Sequence, residues 1–247
     1  MSNVTDTPGQ ILAERRATWK RKEILRRLYE RWYRMIVGAL RPGHIIELGG
    51  GSGNIRDFMP HAISTDIIFA PWLDAVLDAH YLPFKNQSVD SIILFDVLHH
   101  LEDPVAFFHE GCRVLRPEGR IVMMEPYVSC LSYPVYRFLH PEGIDRRFNP
   151  FLGRRCPNKD KEPFRGNQSI PKLLFEKHRG KLLSHFPGLK IICEERIDPF
   201  LYPLSGGFHH TSLCPIILWK PLALLEKMVH PFARYLAFRV FLVLEKT

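Results

Sequence analysis

HIIELGGGSGN, His44 to Asn54, is the stretch whose reading decides the fold of this chain. His44 to Leu48 has the unbroken apolar character of a parallel strand covered on both faces, and Gly49, Gly50, Gly51 and Gly53 follow it at once. Glycine permits positive φ and removes the Cβ that holds backbone away from a ligand. The stretch therefore predicts a strand, a turn that closely approaches a bound molecule, and a helix from Asn54 to Pro60. An ordinary glycine-rich turn is the plain alternative, and the segments downstream have to separate the two.

The spacing of the glycines discriminates between cofactor classes. A dinucleotide fingerprint started at Gly49 and Gly51 needs Gly or Ala at position 54, where this chain has Asn54. The pattern that is met is E-x-G-x-G-x-G, with Glu47, Gly49, Gly51 and Gly53. A carboxylate beside the turn suits a ligand carrying an ammonium group and repels a pyrophosphate. This favours S-adenosylmethionine over NAD.

Ala62 to Ile68, AISTDII, reads as a second short strand, and its Asp66 follows Glu47 by about 20 positions, the offset at which nucleotide folds set a carboxylate on ribose hydroxyls. Asp78 to Phe84, DAHYLPF, sets an acid and a small residue before an apolar turn, and Leu94 to Pro104, LFDVLHHLEDP, ends a fourth strand in two histidines and a helix start. In the order of these motifs, from His44 to Pro126, the chain resembles the class I S-adenosylmethionine-dependent methyltransferases, in particular the small-molecule group that includes the ubiquinone and menaquinone biosynthesis enzymes. The resemblance implies that Gly49, Gly51 and Gly53, with Glu47, hold the methionine part of the cofactor, that Asp66 with Ile67 holds the ribose, that Asp78 and Ala79 contact adenine, and that Phe95 and Asp96 line the same site. Arg113 to Pro126 resembles the family's helix end, Pro-x-Gly turn and fifth strand; Gly50 departs from it, because members more often carry a larger residue there.

The expected fold is α/β: a doubly wound, seven-stranded, mostly parallel sheet of Rossmann-like methyltransferase type, with two insertions at the carboxyl edge forming a substrate lid. Strands are predicted near Ile45 to Leu48, Ala62 to Asp66, Val76 to Leu77, Ser91 to Phe95, Arg120 to Glu125, Lys190 to Ile197 and Phe238 to Glu245, with helices after most of them. The last strand is antiparallel by family resemblance. After the fourth, Asp103 is the predicted N-cap and Pro104 the first helical residue, with Val105, Phe108, Cys112 and Leu115 on the buried face.

Residues 1–43 read as an N-terminal helical segment and 44–247 as the methyltransferase domain. In the former, Ile24, Leu25, Leu28, Trp32, Met35 and Ile36 recur at helical spacing with Arg and Lys opposite. Two stretches, Tyr127 to Gln168 and Phe200 to Arg234, far exceed the about four to six residues of a typical connection. Both leave carboxyl ends of parallel strands, so both should overhang the ligand crevice. The first carries Tyr127, Tyr133, Tyr136 and Phe138, then Arg146, Arg147, Arg154, Arg155 and Lys159; the second carries Gly206 to Pro215, GGFHHTSLCP, and an amphipathic run with Trp219, Leu222, Leu225 and Met228.

Composition sets the class without naming a substrate. The 247 residues are 46% hydrophobic, enough for one α/β domain with insertions. Five cysteines without C-x-x-C spacing indicate neither a disulfide framework nor a zinc site, and reduced cytosolic thiols are expected. No secretory signal is expected at the charged N-terminus, and Leu213 to Leu225 and Tyr235 to Leu244 fall short of the roughly 20 apolar residues of a spanning helix. A cytoplasmic location follows as the expectation. The net charge of +8 reads as a solvated surface ahead of a nucleic-acid or anionic-lipid patch.

Methyl transfer to a hydroxyl needs a base, and histidine is the ordinary choice near neutral pH. His99 and His100 follow the fourth strand at the rim of the expected cleft, and His209 and His210 sit in the second insertion. His100 is the first candidate, with His99, His209 and His210 behind it. The Phe95-Asp96-Val97-Leu98 sequence lacks the Pro-Pro-aromatic motif of exocyclic amine methylases, Glu125-Pro126-Tyr127 offers no Pro-Cys pair of cytosine C5 methylases, and no metal-ligand cluster is expected. The sequence thus predicts methylation of a small molecule, on oxygen ahead of carbon or nitrogen, with an anionic or lipid-linked acceptor in view. An RNA methylase or nucleic-acid-binding module on the same fold, and peripheral docking on anionic lipid, are the rival readings.

Overall fold

Ile45–Leu48 (β1) is buried along its whole length and runs parallel between β2 (Ile63–Asp66) and β4 (Val89–Phe95). With β3 (Ala75–Val76), β5 (Leu115–Pro126), β6 (Leu189–Ile197) and β7 (Arg239–Lys246) these form one seven-stranded sheet in the order β3-β2-β1-β4-β5-β7-β6. Only β7 runs against its neighbours, pairing antiparallel with β5 and with β6, as expected. The computed structural model describes residues 7–153 and 162–247. Arg154, Arg155 and Lys159 lie outside the described residues.

The helices are α1 (Pro8–Arg21), α2 (Glu23–Ala39), α3 (Pro104–Val114), α4 (Ser132–Phe138), α5 (Ile170–Lys172) running into a π turn at Leu173–Lys177, α6 (Arg179–His185), α7 (Leu201–Ser205), α8 (Trp219–Val229) and α9 (Ala233–Leu236). Among the described residues no helix is long and apolar enough to cross a membrane. Alternate strand residues serve two cores, as the period of two requires. Ile46, Ile92, Ile121 and Leu242 face α3 and α6 through Phe107, Phe108 and Leu182, whereas Ile45, Ile93, Val122 and Val243 face α2 through Leu25, Leu28, Trp32 and Ile36. The apolar stripe read in the N-terminal segment is therefore core, with Met35 only partly buried.

Four sequence expectations are corrected. The helix predicted from Asn54 to Pro60 is a single 3₁₀ turn, Asn54–Asp57, because Gly53 enters it from left-handed φ and Pro60 disfavours helical backbone at the residue before it. Helices follow β4, β5 and β6 but not β2 or β3, whose connections are loops. The buried face of α3 consists of Pro104, Phe107, Phe108, Gly111 and Val114, so it is rotated from the one expected: Val105 and Cys112 sit at its margin and Leu115 already belongs to β5. The cap itself is as read, Asp103 accepting from Ala106 N at 2.9 Å with Pro104 behind it. The fifth strand starts earlier than Arg120 because Leu115 pairs with Val89 before the Pro117-Glu118-Gly119 turn, where Glu118 takes a φ of 62°.

Buried acids fasten α2 to the second insertion. Asp198, just beyond β6, accepts from Trp32 Nε1 at 2.7 Å and pairs with Arg31, while Glu226 of α8 accepts from the backbone of Phe200 and Leu201 and pairs with Arg31 Nη1 at 3.2 Å. Removing one member of such a group strands the others in low dielectric. Asp198→Ala is expected to lower the unfolding free energy by about 3 to 5 kcal/mol in urea titration. A loss below about 1 kcal/mol would show that water satisfies Trp32 and Arg31 instead.

Candidate active site

A cavity of about 800 Å³ opens at the carboxyl ends of β1, β2 and β4. Of the residues singled out from sequence, Glu47, Gly49, Gly51, Asp66, Ile67, Asp78, Ala79, Phe95, Asp96, His99, His100, His209 and His210 all line it; Gly53 does not. Gly53 serves the turn, with a φ of 70° and Trp72 so close that a Cβ would stand 2.6 Å from Cδ1. At Gly49, also at 70°, a Cβ would meet Val97 Cγ2 at 2.3 Å. Gly51 is different. Its φ is 49°, yet a Cβ there would meet nothing nearer than Leu12 Cδ2 at 3.8 Å, so the bare backbone faces open space. A ligand that needs close backbone approach fits there.

Gly50, the departure from the family pattern, has a local cause. A Cβ would stand 2.3 Å from Ser64 Oγ and 2.7 Å from Glu47 Oε2, in the path of the hydrogen bond that Ser64 donates to Glu47. Glu47 is buried, and burial raises its carboxyl to about 7 against that hydrogen bond. Asp66 accepts from Gly51 N and Ile68 N, both at 2.9 Å, so the second strand's acid also shapes the glycine turn. Asp78 accepts from His80 N at 2.9 Å and meets His80 Nδ1 at 2.6 Å, which holds its carboxyl below the ordinary range.

Asp96 leaves β4 with a φ of 57° and meets Arg239 Nη1 at 2.5 Å. Arg239 is buried, with its guanidinium over the rings of Trp32, Tyr202 and Phe95 at 4.9, 5.4 and 5.6 Å. Tyr29 and Tyr33 of α2 stand against Phe95 at 5.0 and 5.2 Å and complete an aromatic wall. Sequence reasoning missed Arg239, although a lone charge within the apolar run Phe238 to Leu244 was a signal.

The two adjacent histidines have different surroundings because they sit on a 3₁₀ turn, Leu98–His100. His99 is buried, with Nδ1 2.7 Å from Glu125 and Nε2 2.9 Å from Glu142. Burial works against its charge, but Glu142 and Glu125 outweigh it and raise the imidazole to about 10. Glu142 shows the converse: burial would raise it, and His99 and His100 hold it well below the carboxylate range. His100 lines the cavity with Nε2 3.8 Å from Glu142 Oε1. The donor atoms of His99, His100 and Glu142 lie within 4.8 Å of one another. A cation there would need a ring nitrogen that His99, engaged by carboxylates on both sides, does not have to give. Glu125 and Glu142 were not read from sequence as site residues; an acid ending the apolar Ile121 to Met124 run was the available signal for the first.

Both insertions reach the cavity, the first through Tyr136, His140, Glu142 and Gln168, the second through Tyr202, His209 and His210. Burial, then Arg15, lowers His209 to about 4. His210 is exposed, its Nε2 3.3 Å from Leu139 O across the gap between the insertions. Lys22, where α1 breaks from α2, donates to Gly207 O and His210 O at 2.7 Å and anchors that loop.

A family model described as "Methyltransferase domain" matches residues 57–123. The chain is similar to the ubiquinone/menaquinone biosynthesis C-methyltransferase of Desulfotalea psychrophila, 28% identical over 51% of this chain and 58% of that protein. The chain spans little more than half the length of the curated relatives that it matches best in extent. Among solved structures it resembles a S-adenosylmethionine-dependent methyltransferase from Archaeoglobus fulgidus, with a TM-score of 0.57 and 12% identity over 90% of this chain and 94% of that one. It also resembles geranyl diphosphate C-methyltransferase from Streptomyces coelicolor, with a TM-score of 0.53 and 12% identity over 90% and 78%. At such identity the structural likeness concerns the fold. In strand order, glycine turn and sequence matches the chain is similar to the class I S-adenosylmethionine-dependent methyltransferases, and within them to the ubiquinone/menaquinone biosynthesis group.

Proposed function

We propose that this protein transfers the methyl group of S-adenosylmethionine to an oxygen of a small molecule held between the two insertions. The observation that carries this reading is the open, left-handed Gly51 facing the cavity, with Glu47 and Asp66 beside it and His100 in the same wall. When bound, the cofactor supplies an electrophilic methyl carbon on a positively charged sulfur. Glu47 and the glycine turn would hold its methionine end, Asp66 and Ile67 the ribose, and Asp78 and Ala79 the adenine, with Phe95 and Asp96 closing the wall.

As the acceptor oxygen gains the methyl group it must give up a proton, and His100 is the residue assigned to take it. His99 carries its own proton through the neutral range, held at about 10, and is a positioning residue. His209, lowered to about 4, is a weak base, and His210 is exposed and faces Leu139 O. Holding acceptor and methyl group in line supplies the larger part of the rate. Arg15 in the cavity wall, with Nε unpartnered among the described residues, supports an acceptor with anionic oxygens. The cavity of about 800 Å³ supports a small molecule over a polynucleotide. Transfer to carbon is the second reading, favoured by the C-methyltransferase names of the relatives. Mass spectrometry and NMR of an isotopically labelled methyl product separate the two.

Cofactor binding should depend on pH through Glu47. A cationic ligand favours the ionised carboxylate, so binding below about 7 expels the Glu47 proton. Affinity should rise, by up to about tenfold per pH unit for one proton, as pH climbs toward 7, and level above it. Calorimetry at pH 5.5 and 8 checks this; Glu47→Gln should flatten the dependence, and Gly51→Val should abolish binding by filling the ligand's space. Equal affinity of the unaltered protein at both pH values would sink the assignment.

His100→Ala should keep cofactor affinity and lose about 10²- to 10⁴-fold in turnover, the range of a general base. Near-normal turnover with a lowered melting temperature would assign His100 to structure and shift the search to His209.

A further inference from the structure

Between Thr211 and Arg234 the second insertion turns large apolar side chains to the outside. Ile217 is 82% exposed, Leu213 75%, Met228 69%, Leu224 61% and Phe232 61%. Helix α8 is apolar on two sides: Trp219, Leu222 and Ala223 pack against the α2 core, while Leu224, Leu225 and Met228 point away from it. Exposed apolar surface on this scale marks a contact site rather than the ordinary scatter of single residues. Interleaved with it are Lys220, Lys227 and Arg234, all exposed. The one acid of the segment, Glu226, is buried on Phe200, Leu201 and Arg31, so no carboxylate of this stretch reaches its outer face.

We propose that this segment docks on an anionic lipid bilayer, with Ile217, Leu224, Met228 and Phe232 entering the boundary of the acyl chains and Lys220, Lys227 and Arg234 staying among the head groups. Apolar penetration together with cations is the pairing that peripheral membrane association requires. A second copy of the chain is a poorer occupant, because an isologous contact would set these cations against their own counterparts with no exposed acid of the segment to answer them. The N-terminal helices, basic as they are, do not supply the surface: Ile24, Leu25, Leu28, Trp32 and Ile36 are buried in the core. Leu213 and Leu139 belong to both the exposed surface and the cavity lining, with Phe138 exposed beside them. The docked face thus adjoins the cavity mouth, and an acceptor with a lipid tail could enter from the bilayer. The docking claim goes beyond the proposed methyl transfer and is read without any turnover.

Co-sedimentation with vesicles of phosphatidylcholine, alone or mixed with phosphatidylglycerol, tests it. The full chain should partition at least tenfold more strongly onto the mixed vesicles and be released by salt. Ile217→Asp with Met228→Asp should lower that partitioning more than tenfold at unchanged circular dichroism and melting temperature. Lys220→Glu, Lys227→Glu and Arg234→Glu should each cost about fivefold on the mixed vesicles and little on phosphatidylcholine. Equal partitioning of the unaltered chain onto both vesicles would overturn the proposal. So would a dimer in sedimentation velocity that Ile217→Asp dissociates, since the face would then be covered by a second copy.

Discussion

The carboxylate of Glu125 stands where β5 leaves the sheet, and it accepts from Val97 N, Leu98 N and His99 at 2.9, 2.8 and 2.7 Å. The two backbone bonds cap the 3₁₀ turn after β4 and fix how the chain leaves that strand. The third, through the His99 ring, continues to Glu142 in the first insertion. One buried side chain therefore sets the cavity rim and, through a single imidazole, the position of the segment above it. Two carboxylates around one ring explain why His99 keeps its proton although burial alone would remove it. The residue beside it, His100, lines the cavity with its Nε2 3.8 Å from Glu142 Oε1.

The carboxyl ends of the strands hold residues in unfavourable backbone conformations, each with a partner that holds it there. Asp96 after β4 has a φ of 57° and Asp198 after β6 one of 62°. Non-glycine residues in this region cost of order 1 kcal/mol or more. Asp96 is answered by Arg239, itself buried among three aromatic rings, and Asp198 by Trp32 and Arg31. The partners come from α2 and β7, outside the first half of the sheet, so these two strand ends are tied to elements distant in sequence. The helices missing after β1, β2 and β3 fit the same account: α2 covers much of one sheet face in their place.

The glycine turn and the sheet were legible because they rest on local rules. Alternating glycines at left-handed φ and apolar runs of strand length fix their own conformation, and all seven strands fall near their expected positions. The rotated face of α3 was less so, since Phe107 and Phe108 are neighbours and periodicity alone does not say which faces Phe175 and Phe186. Glu142 and Gln168 were illegible: Glu142 reaches His99, and Gln168 donates to Glu142, only because the first insertion folds back over the rim, and no spacing in the chain encodes that return. The sequence also could not divide His99 from His100, because the division arises from a tight turn that sends adjacent rings toward different surroundings.

The second insertion shows how one segment can serve two surfaces without conflict. Its inner side ties Glu226 and Trp219 to Arg31, and its loop, which lines the cavity, is pinned by Lys22, so this segment is fixed by buried charge and backbone hydrogen bonds. None of those contacts uses Ile217, Leu224, Met228 or Phe232. The outer side chains therefore take no part in that anchoring. Leu213 is exposed and also lines the cavity, so the outer apolar surface and the cavity border one another at that residue.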